Sequence, residues 1–111
     1  MQTFLDTVRQ NLPEIQEEFD KYQKEYFPVR TPQFFCLELN GEAGELANLE
    51  KKSWKGRDID INMLADEAAD VFIALMNYAN SREINLADAV GKKLEIINKK
   101  MLQLKQQGKD Y

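Results

Sequence analysis

Apolar residues recur at three- and four-residue spacing along most of this chain, and no segment alternates polar and apolar residues for long enough to build a sheet. That spacing places apolar side chains on one face of an α-helix. Only five glycines and three prolines interrupt the 111 residues, and no Ser/Gly-rich linker or repeat divides them. We therefore predict an all-α fold, a four- to five-helix bundle in which residues 1–111 form a single domain.

Capping residues and helix breakers predict where the helices begin and end. Thr31 followed by Pro32 is typical of an N-cap and a first-turn proline. Asp58 or Asp60 is expected to cap the next helix, and Asn85 begins a capping-box pattern. The predicted segments are a short turn over 3–8, a helix from after Pro13 to about 27, and helices over 31–53, from 58 or 60 to 81, and from 85 to a break at Gly108.

The same spacing predicts which side chains are buried. Residues 71–78 are apolar on nearly every face, as expected of the most buried helix in a bundle. Cys36 is expected to be a small buried hydrophobe, and Gly41 and Gly44 are expected to have a packing or site reason, because glycine disfavours a helix. The aromatic residues expected in the core are Tyr22, Tyr26, Phe34, Phe35, Phe72 and Tyr78.

The chain contains no histidine and one cysteine. Without histidine it has no imidazole base, no Ser-His or Cys-His nucleophile pair and no ordinary nitrogen-and-sulfur zinc site. A di-iron carboxylate bundle is excluded for the same reason. Cys36 alone forms no internal disulfide, which favours a reducing, cytoplasmic setting. Chemistry in this chain therefore has to come from carboxylates, amides, lysines or a bound ion.

The charge balance is modestly acidic, with 15 Lys+Arg against 19 Asp+Glu and a net charge of -4. This argues against binding driven by attraction to nucleic acid or to an anionic membrane. The longest apolar run, 71–76, is too short to span a bilayer, and residues 1–9 contain no apolar signal core. We expect no nucleic-acid partner and no membrane partner.

The carboxylates lie on particular helical faces. Glu38, Glu42 and Glu45 follow i, i+4, i+7 spacing and share one stripe. Glu67 and Asp70 are three residues apart, on a face that runs on into the apolar segment. Solvated acidic faces are common on helices, so spacing alone leaves open whether these carboxylates form only a solvated surface.

Electrostatics favours a bound cation over a purely solvated face. Two carboxylates about 5 Å apart repel by about 3 kcal/mol at an effective dielectric constant of about 20. Four or five of them directed to one interior would be strongly disfavoured without a positive ion. Magnesium or manganese suits an oxygen-only, histidine-free site that leaves coordination positions for water and phosphates.

The segment Gly41-Glu42-Ala43-Gly44-Glu45, followed on the next helix by Glu67-Ala68-Ala69-Asp70, resembles the MazG-like all-α nucleoside triphosphate pyrophosphohydrolases. The resemblance extends over about residues 34–100 and includes 84–94, which are similar to the start of the last helix in that family. The chain departs from the pattern at Gly41, where many relatives have a second glutamate.

The resemblance implies a reaction and a set of residues. An NTP or dNTP would be hydrolysed to the monophosphate and pyrophosphate with Mg²⁺, or Mn²⁺, held by the acids. The implied metal ligands are Glu42, Glu45, Glu67 and Asp70. Because the chain has no histidine, Glu42 or Glu38 is expected to take the proton of the attacking water.

The resemblance also implies substrate contacts and an oligomer. Asn77, Lys93 and Asn98 are the expected substrate-binding residues. Trp54, flanked by lysines, is expected either to stack on the base or simply to close one end of the bundle. A homodimer or homotetramer is implied, with the site near an interface. The alternative function is a non-catalytic helical module on the same fold that binds a nucleotide or a protein.

Overall fold

The computed structural model describes residues 1–111 and contains four α-helices and no β-strand. The all-α prediction is confirmed. The helices are α1 (Gln2–Tyr26), α2 (Pro32–Trp54), α3 (Ile61–Ser81) and α4 (Leu86–Gln106). None of them is both long enough and apolar enough to cross a membrane.

The predicted break near Pro13 is wrong, because α1 continues through it as one helix. Proline removes one i→i−4 hydrogen bond from a helix. Asn11, expected to precede a new helix, is itself helical, and its Nδ2 donates to Thr7 O at 2.9 Å. Thr7 Oγ1 donates in the same way to Thr3 O. These side chains bond back to the preceding turn and stay compatible with a continuous helix.

The predicted N-caps of the other three helices are present. Thr31 Oγ1 accepts the N–H of Phe34 at 3.2 Å, and Pro32 occupies the first turn of α2. Asp60, and not Asp58, is the N-cap of α3, and its Oδ1 accepts the N–H of Asn62 at 2.9 Å. Asn85 Oδ1 accepts the N–H of Asp88 at 3.1 Å. Local side-chain chemistry therefore sets the start of α2, α3 and α4.

The chain divides into two compact units. One is continuous, residues 20–83, and includes α2 and α3, which pack closely against each other. The other is discontinuous and combines residues 1–19 with residues 84–111. In the discontinuous unit Leu5, Ala87 and Gly91 are buried, and Arg9 Nη2 pairs with Glu95 Oε1 at 2.9 Å.

Within the continuous unit, burial is concentrated on α3. Its residues 74, 76, 77 and 79 are buried, and Met76 is the largest side chain that is fully enclosed. Phe72, Ile73 and Leu75, predicted to be core, are instead 51%, 45% and 39% exposed. Helical spacing separates the faces of a helix, but it does not say whether a second element covers each face.

Several other burial predictions are corrected. Phe35 is buried, but Tyr22, Tyr26 and Phe34 are exposed. Tyr22 packs instead against its neighbours, with its ring centroid 5.3 Å from that of Tyr26. Cys36 is exposed, not a buried hydrophobe. A side chain at the right spacing stays exposed when no other helix of the unit reaches its face.

The two glycines of α2 have no close neighbour. A Cβ atom added at Gly41 or at Gly44 would have no atom within 4 Å, apart from the helix's own backbone and adjacent residues. The expected packing reason for these glycines is therefore absent from the structure.

Candidate metal centre

Three carboxylates from two helices meet in the continuous unit. Oxygens of Glu42 on α2 and of Glu67 and Asp70 on α3 all lie within 4.8 Å of one another. Each of these residues is partly buried. The carboxylates that the sequence placed on two separate helical faces therefore come together.

Helix geometry explains the convergence. Glu67 and Asp70 are one turn apart on α3, in a register that begins at the Asp60 cap. Glu42 lies on the face of α2 that also contains the buried residues Phe35 and Leu49. Because that face packs against α3, an acid in the middle of it is directed to the helix interface and not to open water.

Two oxygens in this cluster are unpaired. Glu42 Oε2 and Glu67 Oε2 are buried from solvent and have no hydrogen-bond partner. Neither glutamate forms an ion pair with a lysine or an arginine. Buried polar atoms are normally satisfied, so two adjacent orphaned carboxylate oxygens require an explanation. A proton or a bound cation supplies one.

The pKa values of these groups reflect the crowding. Burial, followed by repulsion from Glu45 and Asp70, raises the pKa of Glu42 above its ordinary value. Burial raises the pKa of Glu67 too, followed by a hydrogen bond and repulsion from Glu45. Both shifts favour the protonated form in the absence of a cation. A divalent ion would reverse that preference.

Glu45 and Glu38 lie at the edge of the cluster. Glu45 is exposed and outside the group of three, yet its charge raises the pKa of both Glu42 and Glu67. Glu38, one turn before Glu42, is also exposed and adds to the repulsion on Glu42. The structure thus brings three of the four predicted metal ligands together and keeps the fourth close enough to interact with two of them.

The donor set fits a hard divalent cation. All the available donors are carboxylate oxygens, the ligands that Mg²⁺ and Mn²⁺ prefer, and neither nitrogen nor sulfur competes. The two orphaned oxygens face groups of like charge, so a cation would satisfy them directly. Glu42, Glu67 and Asp70 would hold such an ion, with Glu45 at the rim.

The predicted substrate-binding residues lie in different places. Asn77 is buried, forms no side-chain hydrogen bond and lines a cavity of about 440 Å³ in the continuous unit. Trp54, the last residue of α2, is 90% exposed, so it does not close one end of a bundle. Lys93, exposed, and Asn98, partly buried, both belong to α4 in the discontinuous unit. The roles of Trp54, Lys93 and Asn98 stay predictions.

The spacing of Phe35 predicts only a core position, and it therefore misses Phe35 as a residue of this region. Phe35 lines the same cavity as Asn77. The stripe of Glu38, Glu42 and Glu45 also includes Phe35 when it is extended one turn toward the N-terminus. That extension was the available signal.

Comparison with known proteins gives no match to a family model, to a curated protein or to a solved structure.

Proposed function

We propose that this protein is a metal-dependent nucleoside triphosphate pyrophosphohydrolase of the MazG-like type, which converts an NTP or dNTP to the monophosphate and pyrophosphate. The main support is the meeting of Glu42, Glu67 and Asp70 within 4.8 Å, with two buried oxygens that have no partner. The paired motifs that resemble the family lie at these positions. We also propose a cytoplasmic location, consistent with a single unpaired cysteine.

The proposed cofactor is Mg²⁺, with Mn²⁺ as an alternative. When bound, the ion would neutralise phosphate charge and lower the pKa of water at the site. Glu42, Glu67 and Asp70 would hold it, and Glu45 would complete the acidic rim. Phosphoryl chemistry requires mainly positioning and charge neutralisation, which a fixed group of carboxylates on two packed helices supports.

The proposed reaction breaks the anhydride bond between the α- and β-phosphates. The oxygen of a water molecule forms the new bond to phosphorus, and its proton passes to a carboxylate. Glu38 and Glu42 are the two candidates for this base. Glu42 lies within the cluster and Glu38 is exposed one turn before it, so each is placed to accept this proton.

We further propose that the chain forms a homodimer or a homotetramer. Phe72, Ile73 and Leu75 expose large apolar side chains on one helix of the continuous unit, and such a surface is unusual in a monomer. A Phe72→Glu variant should then elute as a smaller species in size-exclusion chromatography with light scattering. Ile96→Glu, which alters an exposed apolar residue of α4, is the control. A monomeric wild-type protein would contradict this part of the proposal.

The decisive experiment identifies reaction products. The purified protein is incubated with each of the ribo- and deoxyribonucleoside triphosphates and Mg²⁺, and the products are separated by ion exchange. Monophosphate and pyrophosphate are expected, and Asp70→Asn or Glu67→Gln should abolish their formation. Asp66→Asn is the matched control, because Asp66 is exposed on the same helix and outside the cluster.

Two results would contradict the proposed reaction. One is release of orthophosphate and diphosphate, and the other is wild-type turnover by the Asp70→Asn variant. Binding of nucleotide without any turnover would favour the alternative, a non-catalytic module on the same fold.

A further inference from the structure

The end of α2 and the turn after it form a surface recess that is rich in cations. Its volume is about 300 Å³, and the residues that line it are Asn48, Lys51, Lys52, Lys55 and Arg57. We call it the basic recess, and all of it belongs to the continuous unit. No acidic side chain lines it, although the chain has 19 acidic residues and a net charge of -4. Such a concentration of positive charge in an acidic protein requires a reason.

Helical spacing places most of the basic recess on one face of α2. Asn48, Lys51, Lys52 and Lys55 follow i, i+3, i+4, i+7 spacing and share one stripe. At 3.6 residues per turn, this stripe is rotated by about 100° from the acidic stripe that contains Glu42. None of the carboxylate ligands of the candidate metal centre lines the basic recess. The two sites are therefore on different faces of the same helix.

A backbone turn adds Arg57 to this face. Gly56 has a φ of 91°, in the left-handed region that favours glycine. Its N–H donates to Ser53 O at 2.9 Å, and the N–H of Arg57 donates to Lys52 O at 3.1 Å. These two bonds form a Schellman motif, which ends α2 and reverses the chain. The reversal brings the guanidinium-bearing residue to the same recess as the three lysines.

The negative end of the α2 dipole favours cations, but it does not explain this arrangement. The carbonyls of Lys51, Lys52 and Ser53 already accept backbone N–H groups, so the last turn needs no ammonium cap. The four cations form no ion pair and no side-chain hydrogen bond within the protein. Four residues before Lys51 and Lys52, where an acid would pair with them, the chain has Ala47 and Asn48. Like charges at this spacing destabilise a helix, and a bound anion would offset their repulsion.

The chemistry of the basic recess indicates the class of its ligand. An arginine fork bonds two phosphate oxygens at once, and lysines act on phosphate as point charges. The volume is at the lower end of the range of about 300–1,000 Å³ that is typical of small-molecule sites. No aromatic residue lines the recess, so it offers no stacking surface for a base. These features favour a small, multiply charged anion.

We propose that the basic recess binds a polyphosphate group without a metal ion, at a place separate from the candidate metal centre. Four cations supply the positive charge that a divalent ion supplies at a carboxylate site. The group can come from inorganic polyphosphate or from the phosphate chain of a nucleotide, because both present the same oxygens. This inference does not rest on the proposed hydrolysis.

Calorimetric titration in EDTA tests the proposal. Pyrophosphate and tripolyphosphate are titrated into the full-length protein, and one site per chain is expected. Added NaCl should weaken binding, because the charges of the recess are exposed and are screened by salt. Backbone amide resonances of residues 48–57 should shift, and those of the carboxylate cluster should not.

Two variants with the same loss of charge separate a built site from general attraction. Lys52→Gln/Lys55→Gln should weaken pyrophosphate binding by at least about tenfold. Lys92→Gln/Lys105→Gln, which removes two exposed lysines of α4, is the control and should bind as the wild type does. Arg57→Lys keeps the charge but removes the fork, so it should weaken binding by a smaller factor. All of these residues are exposed, and thermal melts verify that the variants fold.

Nucleoside triphosphates in EDTA identify the source of the group. Binding as tight as that of tripolyphosphate, with the same loss in Lys52→Gln/Lys55→Gln, supports a site that reads only phosphate. Tighter binding with the same loss supports the recess too and makes a nucleotide its ligand.

Three results would overturn the inference. The first is equal weakening in the two double variants, which would reduce the effect to net charge. The second is binding that requires Mg²⁺ and is lost in Asp70→Asn, which would place the polyphosphate at the metal centre and support the proposed function instead. The third is binding of a single-stranded oligonucleotide at residues 48–57 without binding of pyrophosphate or tripolyphosphate.

Discussion

Gln16 of α1 holds the first residue of α4, because its Oε1 accepts the backbone N–H of Leu86 at 3.0 Å. The same carboxamide donates through Nε2 to the carbonyl of Ile84. One side chain thus satisfies groups on both sides of Asn85, the N-cap of α4. Gln16 is 9% exposed, so these bonds are shielded from water. One carboxamide thus bridges residues that are 68 and 70 positions away from it in the sequence.

Gln16→Leu should destabilise the protein by about 1–3 kcal/mol, because it leaves the Leu86 N–H and the Ile84 carbonyl without their partner. The free energy of unfolding is measured by urea denaturation. Gln10→Leu, at an exposed position of the same helix, is the control and should change it by less than about 0.5 kcal/mol. Equal effects of the two substitutions would show that the Gln16 bonds contribute little.

Divalent cations should raise the melting temperature of the wild-type protein. A ligand that binds only the folded state stabilises it by about 2.7 kcal/mol at 100 times its dissociation constant. In a domain of this size that corresponds to a rise of several degrees. The rise in melting temperature should be absent in Glu67→Gln and in Asp70→Asn. Differential scanning calorimetry with Mg²⁺, with Mn²⁺ and with EDTA measures it. An undiminished shift in both variants would place the cation elsewhere.

Without cation, stability should fall as the pH rises. The pKa values of Glu42 and Glu67 are raised above 4.5 in the folded protein. A carboxyl group with a raised folded-state pKa binds its proton more tightly when folded. Its contribution is therefore complete below the unfolded pKa and is lost as pH increases through the folded pKa. Urea midpoints in EDTA, measured from about pH 4 to about pH 8, test this.

The double variant Glu42→Gln/Glu67→Gln is the control for this titration. It lacks both groups, so its stability should change less over the same interval. Mg²⁺ should stabilise the wild type increasingly as pH rises, because binding requires deprotonated carboxylates. Parallel curves for wild type and double variant would contradict the assignment to these two glutamates.

Two glycine substitutions test helix packing by the same chemical change. Gly44→Ala places a Cβ in open space and should stabilise α2 by up to about 1 kcal/mol through helix propensity. Gly91→Ala places its Cβ 3.2 Å from Arg9 Nη2, which pairs with Glu95, so the Arg9 guanidinium must shift by a few tenths of an ångström. The increase in the free energy of unfolding should therefore be smaller for Gly91→Ala than for Gly44→Ala. Urea denaturation of both variants measures this difference. A loss of stability in Gly44→Ala would indicate that another chain occupies the open space.

Local chemistry made part of this structure predictable. The caps at Thr31, Asp60 and Asn85 depend only on residues two or three positions away, and they form as expected. The break predicted at Pro13 is wrong because it does not depend on local chemistry alone. A proline weakens a helix without necessarily ending it, and the surroundings of α1 decide whether the helix continues.

The candidate site was predictable only within each helix. The spacing of Glu67 and Asp70 fixes their common face, but the approach of Glu42 depends on how α2 packs against α3. The same limit applies to Phe72, which has the spacing of a core residue but is exposed in the structure. Phe35 and Asn77 line a cavity, and helical periodicity does not predict such a lining because it depends on how the helices pack.

The division of the chain into a continuous and a discontinuous unit has a consequence for the order of folding. Residues 20–83 are contiguous and are dominated by one helical hairpin, so they can form early from contacts that are close in sequence. Residues 1–19 and 84–111 meet only after the intervening chain closes as a loop, and loop closure costs entropy. A folded hairpin shortens that loop. We therefore expect the carboxylate cluster to assemble before the two ends of the chain join.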